Sequence, residues 1–242
     1  MKKHTLIIIL GFLPAFLSAE FNININGNNN SVSGNNVVIV NGKVAWAETT
    51  KGSGVEKKEV RDIGEFRGVD LGISADVAIT YGENPSLNIV ADDNILPIIT
   101  TEVVDGELSI SSNESYSTKT KIRVEIKIPV IDKLSISGSG NVSLDSVTKD
   151  KLNLLISGSG NIDATGSVAN LTAKVSGSGD MRLKRLKTKN CKLTINGSGD
   201  AVVSVTEILD AKINGSGDIS YYGKPQKVVS KVNGSGDIHP KG

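Results

Sequence analysis

A Gly-Ser-Gly triplet followed by Asn or Asp recurs along the second half of the chain, at 138–141, 158–161, 177–180, 197–200, 215–218 and 234–237. The intervals are 20, 19, 20, 18 and 19 residues, close enough to one period to mark a single supersecondary unit repeated along an axis. The residue before each triplet is Ser or Asn: Ser137, Ser157, Ser176, Asn196, Asn214 and Asn233. One position earlier stands an apolar residue, in turn Ile136, Ile156, Val175, Ile195, Ile213 and Val232. Directly after the Asn or Asp come Val142, Ile162, Met181, Ala201, Ile219 and Ile238. Each unit therefore reads as strand, tight turn, strand and variable loop.

Two short strands with one apolar face cannot bury that face alone, so the units must stack. The expected fold is all-β, a parallel β-helix-like solenoid of six 18–20-residue coils, each rising about 4.8 Å above the last. The two apolar positions flanking the turn become inward columns of compact, mostly β-branched residues. In the turns, Gly138 and Gly140, Gly158 and Gly160, Gly177 and Gly179, Gly197 and Gly199, Gly215 and Gly217, and Gly234 and Gly236 allow a sharp corner and close backbone approach. Asn141, Asn161, Asp180, Asp200, Asp218 and Asp237 supply side-chain bonds to the turn backbone. Stacked carboxylates about 5 Å apart repel unless solvated, hydrogen-bonded or bridged by a cation. We assign the column to turn capping. Calcium at Asp180, Asp200, Asp218 and Asp237 and an exposed, ligand-facing column stand as alternatives.

Upstream, residues 59–131 alternate apolar and polar with period 2 at Gly68 to Gly82, Ser86 to Ala91, Glu107 to Ile110 and Lys121 to Ile128. Ile95 to Ile99 suits a short helix, although Pro97 falls inside it. Leu71 to Val77 matches Leu134 to Val142 with two turn residues deleted, so this irregular β half is expected to supply a degenerate first coil and to cover the N-terminal end of the column. One domain, 59–242, thus comprises an irregular half (59–131) and a repeat half (132–242). Before it, residues 20–58 are rich in Asn and Gly. Phe21 to Ile25 and Val37 to Val40 suit short strands, with Asn-Gly turns at 26–27 and 41–42; a flexible linker is the alternative. Thr49 to Gly54 reads as a linker.

The first 19 residues form a secretory signal peptide: Lys2-Lys3, the apolar run from Leu6 to Leu13, then Pro14 and the small residues Ser18 and Ala19. The run is shorter than the roughly 20 residues that span a bilayer, and no membrane span is expected in the mature chain. Export to the periplasm or to the surface of a bacterial cell envelope is expected.

The composition excludes much chemistry. The only histidines are His4 and His239 and the only cysteine is Cys191, so a His zinc site, a Ser-His-Asp triad within a core, a disulfide or a thiolate metal cluster is not expected. Cys191 lies in an alternating stretch and reads as a packed, inert thiol. Removing Lys2 and Lys3 from the 27 basic residues leaves 25 against 26 acidic ones, a balance that shows no polyanion-binding field and, with 4% aromatics, no nucleic-acid partner.

The six turns, with Phe66-Arg67-Gly68-Val69 and Ala91-Asp92-Asp93-Asn94-Ile95-Leu96-Pro97, resemble those of a bacterial envelope family called putative autotransporter adhesin, head GIN domain. The resemblance covers about 60–240. It implies a β-helix-like envelope domain of Gram-negative bacteria, especially Bacteroidetes. The sequence departs from an autotransporter, since no stretch for a membrane barrel follows the repeats.

Repetition without a unique constellation favours a non-catalytic module, an adhesin, interaction or scaffold unit contacting an envelope glycan or protein and needing no cofactor. The turn serines, Ser139, Ser159, Ser178, Ser198, Ser216 and Ser235, are the residues most open to binding. A polysaccharide-active enzyme, with Arg182, Lys184 and Arg185 beside Asp180 and Asp200, is the alternative, and a periplasmic signalling or assembly component is another. Exposed strand edges at the ends of a solenoid leave self-association open.

Overall fold

A computed structural model describes residues 37–40, 43–46 and 49–241. The chain divides into two compact units, Met1–Thr49 and Thr50–Gly242. In the first, β1 (Val37–Val40) and β2 (Lys43–Trp46) pair antiparallel, with Val40 opposite Lys43. The strand expected over Val37–Val40 is present. The leader, the strand expected over Phe21 to Ile25 and both Asn-Gly turns lie outside the described residues.

The second unit is a parallel β-solenoid with an irregular β region at its N-terminal end. Its strands are β3 (Thr50–Lys51), β4 (Glu56–Arg61), β5 (Gly68–Leu71), β6 (Asp76–Tyr81), β7 (Ser86–Asp92), β8 (Ile99–Val104), β9 (Glu107–Ser112), β10 (Tyr116–Ser117), β11 (Arg123–Ile128) and β12 (Lys133–Ile136). The repeats follow as β13 (Asn141–Ile156), β14 (Asn161–Gly177), β15 (Met181–Gly197), β16 (Ala201–Gly215), β17 (Ile219–Tyr222), β18 (Lys227–Gly234) and β19 (Ile238–Pro240). Leu96–Ile98 forms a single 3₁₀ turn with Pro97 in its first positions, where the missing N–H costs nothing.

Successive coils pair in parallel, β13 on β14, β14 on β15 and β15 on β16, with the Ile156, Val175, Ile195 and Ile213 positions in register. The expected columns are buried through Ile213 and Ile219. One further column alternates large and small, Leu154, Ala173, Leu193 and Ala211, so adjacent coils interdigitate. Cys191 is buried between Leu171 and Leu209.

Two expectations about the repeat change. The segment between strands is not a loop: β13 to β16 run 15–17 residues through it, bending at a corner where the ladder register slips. Differences in coil length are absorbed there, around Asp145-Ser146, Thr165-Gly166 and Lys184-Arg185. The other change concerns Val232, which is 40% exposed, because β18 pairs only with β16 beneath it and its outer side carries no further described coil.

The irregular half supplies a coil, as expected. β5 pairs with β12 and β6 with β13, placing Leu71 on Ile136, Asp76 on Asn141 and Val77 on Val142. The register corrects the alignment read from sequence: Leu71 matches Ile136 rather than Leu134, and no turn residue is missing between Leu71 and Asp76. Below this coil lie β9 and β11, and antiparallel β8 and β7 close the end, with β4 outside β7. The switch from parallel to antiparallel pairing ends the stacking at this end.

The stretch expected as a linker is tied down. β3 pairs in parallel with β10. The Ser53 N–H donates to Asn94 Oδ1 at 2.9 Å, the Ser53 hydroxyl to Asp93 at 2.5 Å, and the Asn94 amide to the Lys51 carbonyl at 2.7 Å. The compact unit therefore starts at Thr50.

Candidate functional site

The turn column is built by the repeat itself. The third to sixth triplets open on Gly177, Gly197, Gly215 and Gly234 at φ between +145° and +152°, a region that side chains with a Cβ rarely enter. This lets each strand continue to the triplet before turning. The second glycine of the triplet is required for space: a Cβ on Gly199 would overlap the Gly179 carbonyl oxygen of the coil below. Each turn serine N–H from Ser159 onward donates to the carbonyl of the first glycine one coil down or to its equivalent, as Ser198 does to Gly177 at 3.0 Å.

The Asn and Asp side chains complete this lattice. Asp180 N–H donates to Asn161 Oδ1 at 3.0 Å, Asp200 N–H to Asp180 Oδ1 at 3.0 Å, and Asp218 and Asp237 N–H to the Oδ1 of Asp200 and Asp218, each at 2.8 Å. In return, Ile162, Met181, Ala201 and Ile219 donate their N–H to the carbonyls of Asp180, Asp200, Asp218 and Asp237 at 2.9 Å. A carboxylate accepts only, and an N–H pointed at it makes a charge-assisted bond. The lower turns need a donor as well. Asn161 Nδ2 reaches down to Asn141 Oδ1 at 2.7 Å while its oxygen accepts from Asp180, and Asn141 Nδ2 reaches Asp76 at 2.9 Å. This explains why Asn stands in the first two turns and Asp in the other four. A second ladder, Asn233 to Asn214 at 2.8 Å and Asn214 to Asn196 at 2.6 Å, runs beside it.

These bonds place the carboxylates of Asp180, Asp200 and Asp218 as acceptors of backbone N–H groups, while the Asp237 carboxylate, on the last turn, stands exposed beside His239. Among the described residues, no group of three or more His, Cys, Asp or Glu side chains gathers as a metal site would need. The six turn serines stand exposed along the outer edge of the column.

The basic stretch after Asp180 does not assemble around Asp180 and Asp200. Arg182 pairs with Asp180 at 3.2 Å, Arg185 with Asp163 at 3.0 Å, and Lys184 lies 4.3 Å from the centre of the Tyr222 ring. Burial, with Asp210 adding, pushes the Cys191 thiol up to about 12, which keeps it a thiol at neutral pH.

Sequence reasoning missed two features. His239 Nε2 lies 3.1 Å from Ser220 Oγ, and its Nδ1 is 3.3 Å from Asp237 Oδ2. A Ser, a His and an acid thus do meet, at the edge of the last coil rather than within the core, because parallel pairing sets Ser220 beside His239. The arrangement lacks other parts of a hydrolase: Ser220 is only 6% exposed, and the neighbouring Ile219 N–H is bonded to Asp237. The other missed feature is Asp92, buried and accepting the Thr118 and Thr120 hydroxyls at 2.5 Å each. Those two bonds, with one from the Gly54 backbone, hold its carboxyl below the usual carboxylate range against the effect of burial. Nearby, Tyr116, Lys119, Lys121, Asp76, Ser139 and Asn141 line a shallow cleft of about 470 Å³, with Lys121 3.6 Å from Asp76.

Comparison with known proteins gives concordant results. The sequence profile of the family described as "Putative auto-transporter adhesin, head GIN domain" matches residues 65–225. A crystal structure of a putative adhesin from Bacteroides fragilis is 24% identical, with a TM-score of 0.67, covering 79% of this chain and 99% of that one. A putative lipid binding protein from Parabacteroides distasonis is 23% identical at a TM-score of 0.56, covering 81% and 100%. A putative adhesin from the same species is 21% identical at 0.50, covering 80% and 100%. Their likeness establishes the shared fold. No curated protein matches the chain.

Proposed function

The chain belongs to the putative auto-transporter adhesin, head GIN domain family, and from that membership we propose that it is a non-catalytic interaction or scaffold module of the bacterial envelope, contacting a glycan or a protein. The observation behind this reading is that the repeated polar groups of the turns bond coil to coil, while the outward strand positions carry side chains directed at solvent. A rigid column with extended faces suits contact along its length rather than chemistry at a point.

The basic, apolar and small-residue segments of residues 1–19 support export, and the Bacteroidetes sources of the similar structures support a Gram-negative envelope. No described helix is long and apolar enough to cross a membrane.

The test is a glycan array and an envelope pull-down on residues 20–242, run with calcium and with chelator. Saturable binding of a glycan or one envelope protein, with no cleavage of the bound glycan, is expected. Turnover of the glycan would overturn the reading.

A further inference from the structure

Formal charge is nearly balanced along the chain, but the fold sorts it. The turns and the outward positions of the strand segments leaving them carry Asp145, Asp163, Asp180, Asp200, Asp218 and Asp237 against Arg182, Lys184 and Arg185. From β13 onward, the segments entering the turns carry Lys151, Lys174, Lys192, Lys212, Lys227 and Lys231 against Asp210, with Asp150 just before the first of them. This separation is invisible in composition because it depends on register. The near-neutral total that suggested no polyanion-binding field is the sum of an acidic edge and a basic face.

Several cations elsewhere are already engaged. Arg67 and Lys149 are both paired with Asp132, Lys133 with Glu107, Arg182 with Asp180 and Arg185 with Asp163, while Lys184 lies over an aromatic ring. None of the six lysines on the entering face forms an ion pair among the described residues. Lys174, Lys212 and Lys231 share one outward column, and Lys192 lies two residues along the strand in the coil between Lys174 and Lys212. In that column lysines fall on β14, β16 and β18, with Leu155 on β13 and Thr194 on β15, and the offset Lys192 lies between the first two, so neighbouring lysine positions stand roughly 5–10 Å apart. That spacing does not exceed the Debye length of about 10 Å at 0.1 M salt, so the charges act together.

Resting on the interaction-module reading, we propose that this face binds a linear acidic polysaccharide lying along the column axis, its carboxylates or sulfates meeting successive lysines. The groups between the lysines suit a sugar chain: Asn153, Asn170, Thr172 and Thr194 project from the same face and can bond its hydroxyls. The face carries no Trp, Tyr or Phe, the side chains that seat a protein at a membrane interface or stack on nucleic-acid bases.

The experiment measures binding of the whole chain to immobilised polygalacturonate and heparin, with neutral dextran, phosphatidylglycerol vesicles and single-stranded DNA as comparisons. One variant combines Lys174→Gln, Lys192→Gln, Lys212→Gln and Lys231→Gln; a second carries Arg182→Gln and Arg185→Gln on the opposite sign of surface. Thermal melting checks that both retain the fold. The expected result is binding to at least one acidic polysaccharide and none to dextran, weakened about tenfold or more by raising salt from 50 to 200 mM. The four-lysine variant should lose at least tenfold and the arginine variant little. Failure of the wild type to bind either acidic polysaccharide, equal binding by the folded four-lysine variant, or preference for vesicles or DNA would each overturn the proposal. The envelope pull-down separates the two levels: material captured equally by wild type and four-lysine variant sinks the polysaccharide face and leaves the interaction module standing.

Discussion

At the scale of single residues, the turn motif behaves as backbone architecture. Gly199→Ala drives a Cβ into the Gly179 carbonyl, and parallel strands leave that oxygen no room to retreat. The substitution should cost about 3 kcal/mol or more, the upper end for overpacking. Ser198→Ala, exposed on the same turn, should stay within about 0.5 kcal/mol; chemical denaturation of the two variants measures the contrast. Asp200→Asn keeps an oxygen for the Asp218 N–H, whereas Asp200→Ala removes it and should cost about 1–2 kcal/mol. The Ser220, His239 and Asp237 contact is a ladder contact, so a fluorophosphonate probe should leave the chain unlabelled; labelling abolished by Ser220→Ala would contradict this. The motif's importance was legible because six copies of it stand in the sequence. The contact around His239 was not, since it arises only when two coils are laid side by side.

At the scale of elements, the strap formed by residues 50–55 depends on Asp92, Asp93 and Asn94, one of the segments that carried the family resemblance. The sequence showed the motif without its role, because its partners lie about 40 residues earlier and about 26 later. Asp92 has a folded pKa below its unfolded value of about 3.9. Its contribution is therefore complete above pH 4 and is lost as pH falls through the lower folded value. Hydrogen exchange of residues 50–55 should accelerate at that low pH before exchange in β13–β16 does, and in Asp92→Ala the strap should exchange rapidly at neutral pH too. The long strands β13–β16 were harder to foresee. Their middle portions carry charged and small residues at irregular spacing, which reads as loop, yet each continues the ladder because the neighbouring coils supply its hydrogen bonds and the corner takes up the extra residues.

For the whole molecule, the solenoid and its inward columns could be read from a 19-residue period, since stacking is the only way such a unit buries its apolar face. The antiparallel closure at one end had no such signal, being assembled from strands out of chain order. The two ends of the column consequently differ in stability. Every residue of β18 is exposed, with Val228, Val229 and Val232 among them, whereas the opposite end is sealed by β7 and β8. Protection against hydrogen exchange should be lowest in β18 and rise toward β14. The central claim is that the acidic turns hold the coils together and leave contact with partners to the strand faces. Its most direct test is thermal melting and envelope-glycan binding of a chain carrying Asp180→Asn, Asp200→Asn and Asp218→Asn, with calcium and with chelator. The account predicts a fold that persists, binding equal to wild type and melting indifferent to calcium in both proteins. Binding lost while the fold survives, or a calcium-dependent rise in melting temperature that the three substitutions abolish, would contradict it.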